Sequence, residues 1–211
     1  MRKLLIATNN RGKLAEYLEL LKGLPFELTW PEREGIELEI EEEGSSYREN
    51  ASLKALAWAR ATGLIALADD SGLEVDALGG APGPLSARYG GLKSDKEKYE
   101  LLLREMEGIP WEKRTARFRC VIALAFPDGR VYTFEGVREG FIALEPRGEH
   151  GFGYDPIFFI PELGKHMAEL PLEEKNRISH RAQAARKLRE FLSSAFRSAG
   201  GSPTSSSFPQ P

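Results

Sequence analysis

Residues 3–21, KLLIATNNRGKLAEYLELL, pass from an apolar run through a polar turn into a patterned segment, and the rest of the chain is read outward from them. Residues 3–8 read as a short buried strand. Asn9-Asn10-Arg11-Gly12 then turns the chain, and Leu14, Tyr17, Leu18 and Leu21 recur on one helical stripe. The unit is strand, turn, helix.

Further strands are expected at residues 26–30 and 36–40, the second alternating Ile36, Leu38 and Ile40 with glutamates on its other face. From Ser46 to about Thr62 the chain is rich in Ala, Leu and Glu and stops before Gly63, which predicts a helix with a glycine end. Residues 64–68 read as a buried strand closed by a turn at Asp69-Asp70-Ser71-Gly72. Residues 79–91 hold five glycines and two prolines, so a loop shaped by backbone restriction is expected there. Ser94-Asp95-Lys96-Glu97 is a capping box opening a helix to about Met106.

Between Thr115 and Phe126 the apolar positions Ala116, Phe118, Cys120, Ile122, Leu124 and Phe126 alternate with Arg117 and Arg119. Pro127-Asp128-Gly129 then turns the chain into residues 130–137, an antiparallel hairpin. The last helix is expected to start at Ser179 as N-cap, with Leu188 and Leu192 on one face. Residues 1–198 read as one domain in two lobes. Residues 199–211 form a Ser, Pro and Gly tail with too little apolar content to fold alone.

Composition narrows the function classes. Of 211 residues, 41% are hydrophobic and 29% charged, and no apolar stretch approaches the about 20 residues of a membrane-spanning helix. Neither a signal peptide nor membrane insertion is expected. Lys and Arg number 29 against 32 Asp and Glu, a net charge of -3 that lacks the electrostatic footprint of a nucleic-acid-binding protein. The single cysteine, Cys120, excludes an intrachain disulfide and a cysteine-rich zinc site and fits a reducing cytoplasm. It lies in a strand with inward-facing neighbours and reads as inert core.

Several groups carry chemistry, each with a plainer reading beside it. At residues 8–13 the free N–H groups and dipole of a helix start favour an anion, and Lys13 adds a charge; the same residues also make an ordinary capped helix start. No P-loop is present, because the upstream glycine is missing and no Ser or Thr follows Lys13. Asp69 and Asp70 close a buried strand with oxygen ligands of the kind Mg²⁺ takes, and the run Glu41-Glu42-Glu43 offers a second carboxylate. Asp-Ser-Gly is equally turn chemistry, and a glutamate run is usually a solvated face.

Lys54 follows Asn50 by four residues and reads first as a surface lysine. Residues 151–156, GFGYDP, form a rigid loop with two aromatic rings beside a carboxylate, suited to stacking on a base, although Tyr154 equally suits anchoring the loop. Lys175, His180 and Arg181 cluster around the start of the last helix, where cations oppose the dipole and local helix stability would not select them. His150 and His166 have no partner at metal-ligand spacing.

In this order the motifs resemble the inosine triphosphate pyrophosphatase (ITPase) family, whose members hydrolyse inosine and xanthosine triphosphates. The resemblance runs from Lys3 to about Leu192. It rests on Ala7-Thr8-Asn9-Asn10-Arg11-Gly12-Lys13 with Glu16, Glu42-Glu43-Gly44 with Glu49-Asn50-Ala51 and Lys54, and Ala68-Asp69-Asp70-Ser71-Gly72-Leu73. Gly79-Gly80-Ala81-Pro82-Gly83 with Ser86-Ala87-Arg88-Tyr89, Phe152-Gly153-Tyr154-Asp155-Pro156, and Lys175 with Ser179-His180-Arg181 complete it. Asn9 stands where the family commonly has glycine, and Glu43 where it commonly has threonine.

The resemblance implies an elongated α/β fold, a long curved mixed β-sheet flanked by helices in two lobes, a nucleotide cleft between them, and a homodimer. It makes Asp70 the general base that activates a water to attack the α-phosphorus, releasing a monophosphate and pyrophosphate. Thr8, Asn9, Asn10, Arg11, Gly12, Lys13 and Lys54 would hold the triphosphate, with Mg²⁺ near Asp70 and either Glu41 or Glu42. Ser71, Phe152, Gly153, Tyr154, Asp155, Lys175, His180 and Arg181 would surround the nucleotide. The biological sense would be removal of deaminated purines from the nucleotide pool. Two alternatives stand beside this: a Maf-like pyrophosphatase with another base preference, and a nucleotide-binding module without catalysis.

Overall fold

The computed structural model describes residues 1–41 and 44–198. Glu42, a candidate metal ligand, its neighbour Glu43, and the tail at 199–211 lie outside the described residues. In chain order the elements are β1 (Arg2–Ile6), α1 (Arg11–Leu20), β2 (Phe26–Thr29), α2 (Pro31–Glu34), α3 (Tyr47–Thr62), β3 (Ile65–Val75) and α4 (Asp95–Glu105). They continue with β4 (Thr115–Ala125), β5 (Val131–Ile142), β6 (Phe158–Ile160), β7 (Lys165–His166), α5 (Leu172–Ile178) and α6 (His180–Ser198). Short 3₁₀ turns join several of them. The strands make one seven-stranded sheet in the order β2-β1-β3-β4-β5-β6-β7.

The sheet is mixed, and the reason lies in the connections. β1 pairs in parallel with β2 and with β3, with Leu4 opposite Leu28 on one side and Ile65 on the other. Parallel neighbours require crossovers, which α1 and α3 supply. Flanked on both edges, β1 buries Leu4, Leu5 and Ile6 completely, which explains an apolar run without alternation. β5, β6 and β7 pair antiparallel, with Phe141 opposite Phe159 and Phe159 opposite His166. The turn between β4 and β5 is closed by Phe126 N donating to the Arg130 carbonyl at 2.9 Å.

Two compact units divide the chain. The first takes residues 1–70, 121–135 and the chain from 183 onward. Its core sets Ala51, Ala55 and Ala59, one fully buried face of α3, in a cluster with Ala66, Ala68, Ala123 and Ala125 of the strands. Small residues on both surfaces bring the helix close to the sheet, and enlarging one would overpack the contact at a cost of about 1–3 kcal/mol. Ser46 caps α3 by accepting from Glu49 N at 3.2 Å, and Gly63 ends it at φ +68°. The expected helix therefore has the expected limits.

The second unit takes residues 71–120 and 136–182. Its core joins Leu73, Leu102, Met106, Phe118, Ile142, Phe158 and Met167. Arg114, 3% exposed, spans it by donating to the carbonyls of Ile142, Met106 and Ala143 at 2.8–2.9 Å. Burial lowers its pKa from the ordinary arginine value. The capping box at Ser94 and Glu97 forms as its sequence requires.

Three sequence expectations are corrected. Residues 36–40 form no strand; Ile36, Leu38 and Ile40 are half-buried against the first core while the residues between them are exposed. Alternation there reports which side chains face the core, without any ladder. The turn expected at Asp69-Asp70-Ser71-Gly72 is instead the middle of β3, which runs unbroken to Val75. Pairing within the sheet and tertiary donors to the carboxylates override local turn chemistry. The loop at 79–91 contains 3₁₀ turns, one ending at Gly79 with φ +65° and another over Gly83–Gly91 broken by a kink at Arg88 and Tyr89. The helices α2 and α5 and the strands β6 and β7 lie outside the elements expected from the sequence.

Candidate active site

In the first unit the site grows from the end of β1. Asn10 N donates to Thr8 Oγ1 at 3.1 Å, and Asn10 Oδ1 accepts from Lys13 N at 3.0 Å. The turn is thus a capped helix start. Arg11 and Gly12 open α1, where their N–H groups have no carbonyl within the helix to bond, so the Asn10 cap leaves first-turn donors outside the helical ladder. Asn9, Asn10 and Arg11 are exposed; Thr8, Gly12 and Lys13 are half-buried.

Lys13 Nζ lies 3.0 Å from Asp69 Oδ1, with the Asp69 side chain 2% exposed. Asp70, the next residue along β3, is also buried, and its Oδ2 accepts from Asn50 Nδ2 at 3.1 Å. Asn50 Oδ1 accepts in turn from Gly44 N at 2.8 Å. Adjacent residues of a strand face opposite sides, so Lys13 and Asn50 reach their carboxylates from different directions. Lys54 is half-buried one turn after Asn50 on α3, and Glu41 is exposed.

Asn50, whose motif carries no role in the sequence pattern, is the residue that the structure adds to the neighbourhood of Asp70. The signal was its spacing, one helical turn before Lys54. Glu16, which belongs with the family motif at residues 7–13, is 1% exposed on α1.

In the second unit the loop at 151–156 meets the start of α6. Lys175 Nζ pairs with Asp155 Oδ2 at 2.6 Å, both side chains under 5% exposed, and Phe152 N donates to the same oxygen at 3.2 Å. Burying two charges costs desolvation on each, so such a pair is a poor source of stability and a reason to look for another role. Lys175 Nζ sits 4.6 Å from the centre of the Phe152 ring and the Arg181 guanidinium 5.6 Å from it. Arg181 Nη2 donates to Ser71 Oγ at 2.9 Å, and the His180 ring stacks on Phe118 at 4.8 Å.

Ser179 caps α6 by accepting from Ala182 N at 3.0 Å, as its sequence predicts. Tyr154 donates to the Ser86 carbonyl at 2.7 Å and is buried, which pushes its pKa above the ordinary phenol value. Of its two sequence readings, the loop anchor is the one its phenol performs. Gly153 N donates to Asp95 Oδ2 at 2.8 Å, a second tie on the loop. His166 Nδ1 donates to the Pro156 carbonyl at 2.6 Å, while His150 is exposed; Cys120 is a buried thiol outside any disulfide.

Each unit therefore assembles a distinct chemistry. The first gathers a helix start, two lysines and two buried carboxylates; the second gathers an aromatic ring, cationic donors and a helix start. Among the described residues, no three His, Cys, Asp or Glu side chains come together to enclose a metal, and no helix is long and apolar enough to cross a membrane. The Ham1 family model matches residues 4–191.

The chain belongs to the Ham1 family. It is 53% identical over 193 residues to a protein of Geobacter sulfurreducens named dITP/XTP pyrophosphatase, covering 91% of this chain and 97% of that one. It is 49% identical over 193 residues to the Bacillus subtilis protein of the same name, covering 91% and 98%. Among solved structures, a HAM1 protein from Coxiella burnetii superposes with a TM-score of 0.83 at 44% identity, covering 92% of this chain and 99% of that one. The ITPase resemblance and the mixed α/β fold expected from it are thus borne out. The Ham1 match does not favour the Maf-like alternative.

Proposed function

We propose that this Ham1-family chain hydrolyses deaminated purine nucleoside triphosphates, ITP, dITP and XTP, to the monophosphate and pyrophosphate. The observation that carries the reading is the pair of adjacent buried carboxylates on β3, Asp69 on Lys13 and Asp70 on Asn50, in a chain about half identical to relatives named for this reaction.

Asp70 takes the proton from the water that attacks the α-phosphorus. Orientation of the water and charge neutralisation on the polyphosphate carry much of the acceleration. The first-turn N–H groups of α1, with Lys13 and Lys54, hold the triphosphate. Phe152 offers a face for the purine, and Lys175, His180 and Arg181 offer donors to its oxo edge. Ser71 holds Arg181, and the ties on Gly153 and Tyr154 hold the loop that carries Phe152 and Asp155.

The donor set fits a hard divalent cation such as Mg²⁺. The carboxylates of Asp70 and Glu41, with Glu42, offer oxygen alone, and one or two protein ligands are what Mg²⁺ takes when substrate phosphates and water complete its shell. When bound, the cation neutralises polyphosphate charge. We read the molecule as a cytoplasmic homodimer without a nucleic-acid partner; the net charge of -3 supports the absence of nucleic acid and the single buried cysteine supports the cytoplasm. Light scattering on the purified chain tests the dimer.

A panel of nucleoside triphosphates, with products separated by chromatography, tests the reaction. The expected result is turnover of ITP, dITP and XTP with intact pyrophosphate. Stepwise release of orthophosphate would mean attack at the γ-phosphorus and would reject the mechanism.

A further inference from the structure

We infer that Asn50 is a positioning residue for Asp70: its amide sets the orientation of that carboxylate, and the Gly44 backbone sets the orientation of the amide. The inference rests on the pyrophosphatase reading and names a further residue for that reaction.

Asn50 is 3% exposed and uses both ends of its side chain. Gly44 N, which can only donate, bonds Oδ1 at 2.8 Å, so the amide nitrogen must face Asp70 Oδ2, which it meets at 3.1 Å. The direction of the amide is thereby fixed by chemistry. Both residues sit on rigid elements of the first unit, Asn50 in the first turn of α3 and Asp70 in the middle of β3. A carboxylate on a single CH₂ rotates easily, and the Asn50 contact holds the plane of Asp70. Misplacement of a reacting group by about 1 Å costs on the order of 100-fold in rate, so fixing that plane has a kinetic consequence.

Gly44 has its own requirement. A Cβ built there would run into Asn50 Oδ1 and lie 2.9 Å from Glu49 Cβ. A side chain at 44 would therefore push the amide off its donor. Ser45, whose N and Oγ both donate to Glu49 Oε2 at 2.7–2.8 Å, pins the next residue to the same helix turn.

Asn50→Asp separates positioning from plain anchoring. Aspartate keeps the shape and the acceptor for Gly44 N, removes the donor to Asp70 and sets a second carboxylate beside it; Gly44→Ala, which adds no charge, separates lost positioning from that repulsion. We expect kcat for ITP to fall at least ~30-fold with KM within about threefold. The thermal midpoint should fall by no more than about 5 °C, and inosine monophosphate, titrated calorimetrically in chelator, should bind as it does to the wild type. Gly44→Ala, which displaces the amide without altering it, should lower kcat about tenfold with the same unchanged KM.

A kcat within threefold of wild type for Asn50→Asp overturns the inference. So does loss of monophosphate binding, which would place the effect in the fold of the site. If Asn50→Asp does not fold, an unchanged kcat for Gly44→Ala overturns it in its place. A wild-type chain that turns over no deaminated triphosphate overturns the pyrophosphatase reading and this inference with it, whereas an active wild type beside an active Asn50→Asp overturns this inference alone.

Discussion

Lys13 and Asp69 are 56 positions apart in sequence and meet at 3.0 Å, tying the first turn of α1 to the middle of β3. An ammonium has three donors and one carboxylate oxygen occupies one of them, so the contact aims Lys13 and leaves it donors for the triphosphate of the proposed reaction.

Lys13→Ala should raise KM for ITP and lower kcat together, because charge on the phosphates grows toward the transition state. It should also destabilise the fold by about 1–3 kcal/mol, since nearly buried Asp69 loses this partner. Steady-state kinetics and urea unfolding check the two effects separately. Unchanged kinetics would remove Lys13 from the triphosphate.

Asp70→Asn should lower kcat by at least ~100-fold, the scale of a lost general base, in a folded protein. Circular dichroism alongside the rate measurement confirms the fold. Near wild-type turnover would take Asp70 out of the chemistry.

Activity should vanish in excess chelator and return with Mg²⁺, because Asp70 and the glutamates provide only hard oxygen donors. Full turnover in chelator would contradict the assignment of these carboxylates to a cation.

ITP and XTP should be preferred over ATP by up to roughly a thousandfold in kcat/KM, since a 6-amino group leaves two buried donors unpaired at about 1–3 kcal/mol each. Arg181→Ala should narrow that ratio. The same change frees Ser71 Oγ from its 2.9 Å contact, so Ser71→Ala is the control that separates base reading from support of the guanidinium. A ratio that Arg181→Ala leaves unaltered would move base selection to other residues.

Arg114→Met should cost about 3 kcal/mol or more in urea unfolding while leaving kcat at 25 °C within a few fold, because it strips the donor from three buried carbonyls in the second unit. A stability loss below about 1 kcal/mol would show that those carbonyls find other donors.

The sequence by itself determined the elements whose signals are local. The caps at Asn10, Ser46, Ser94 and Ser179, the glycine stop at Gly63 and the β4–β5 hairpin all fall where neighbouring residues require them. A helix end or tight turn is satisfied by groups a few positions away, so the chain need not be folded to reveal it. The motifs from Lys3 to Leu192, taken together, also identified the family. Only the tertiary structure decided what the same residue types do at a distance. Asp69-Asp70-Ser71-Gly72 carries the chemistry of a turn and lies in a strand, because sheet pairing and donors from Lys13 and Asn50 outweigh local preference. Ile36, Leu38 and Ile40 alternate as a strand does and have none, because alternation records burial of a face, whereas a strand also needs a backbone partner that no sequence pattern supplies.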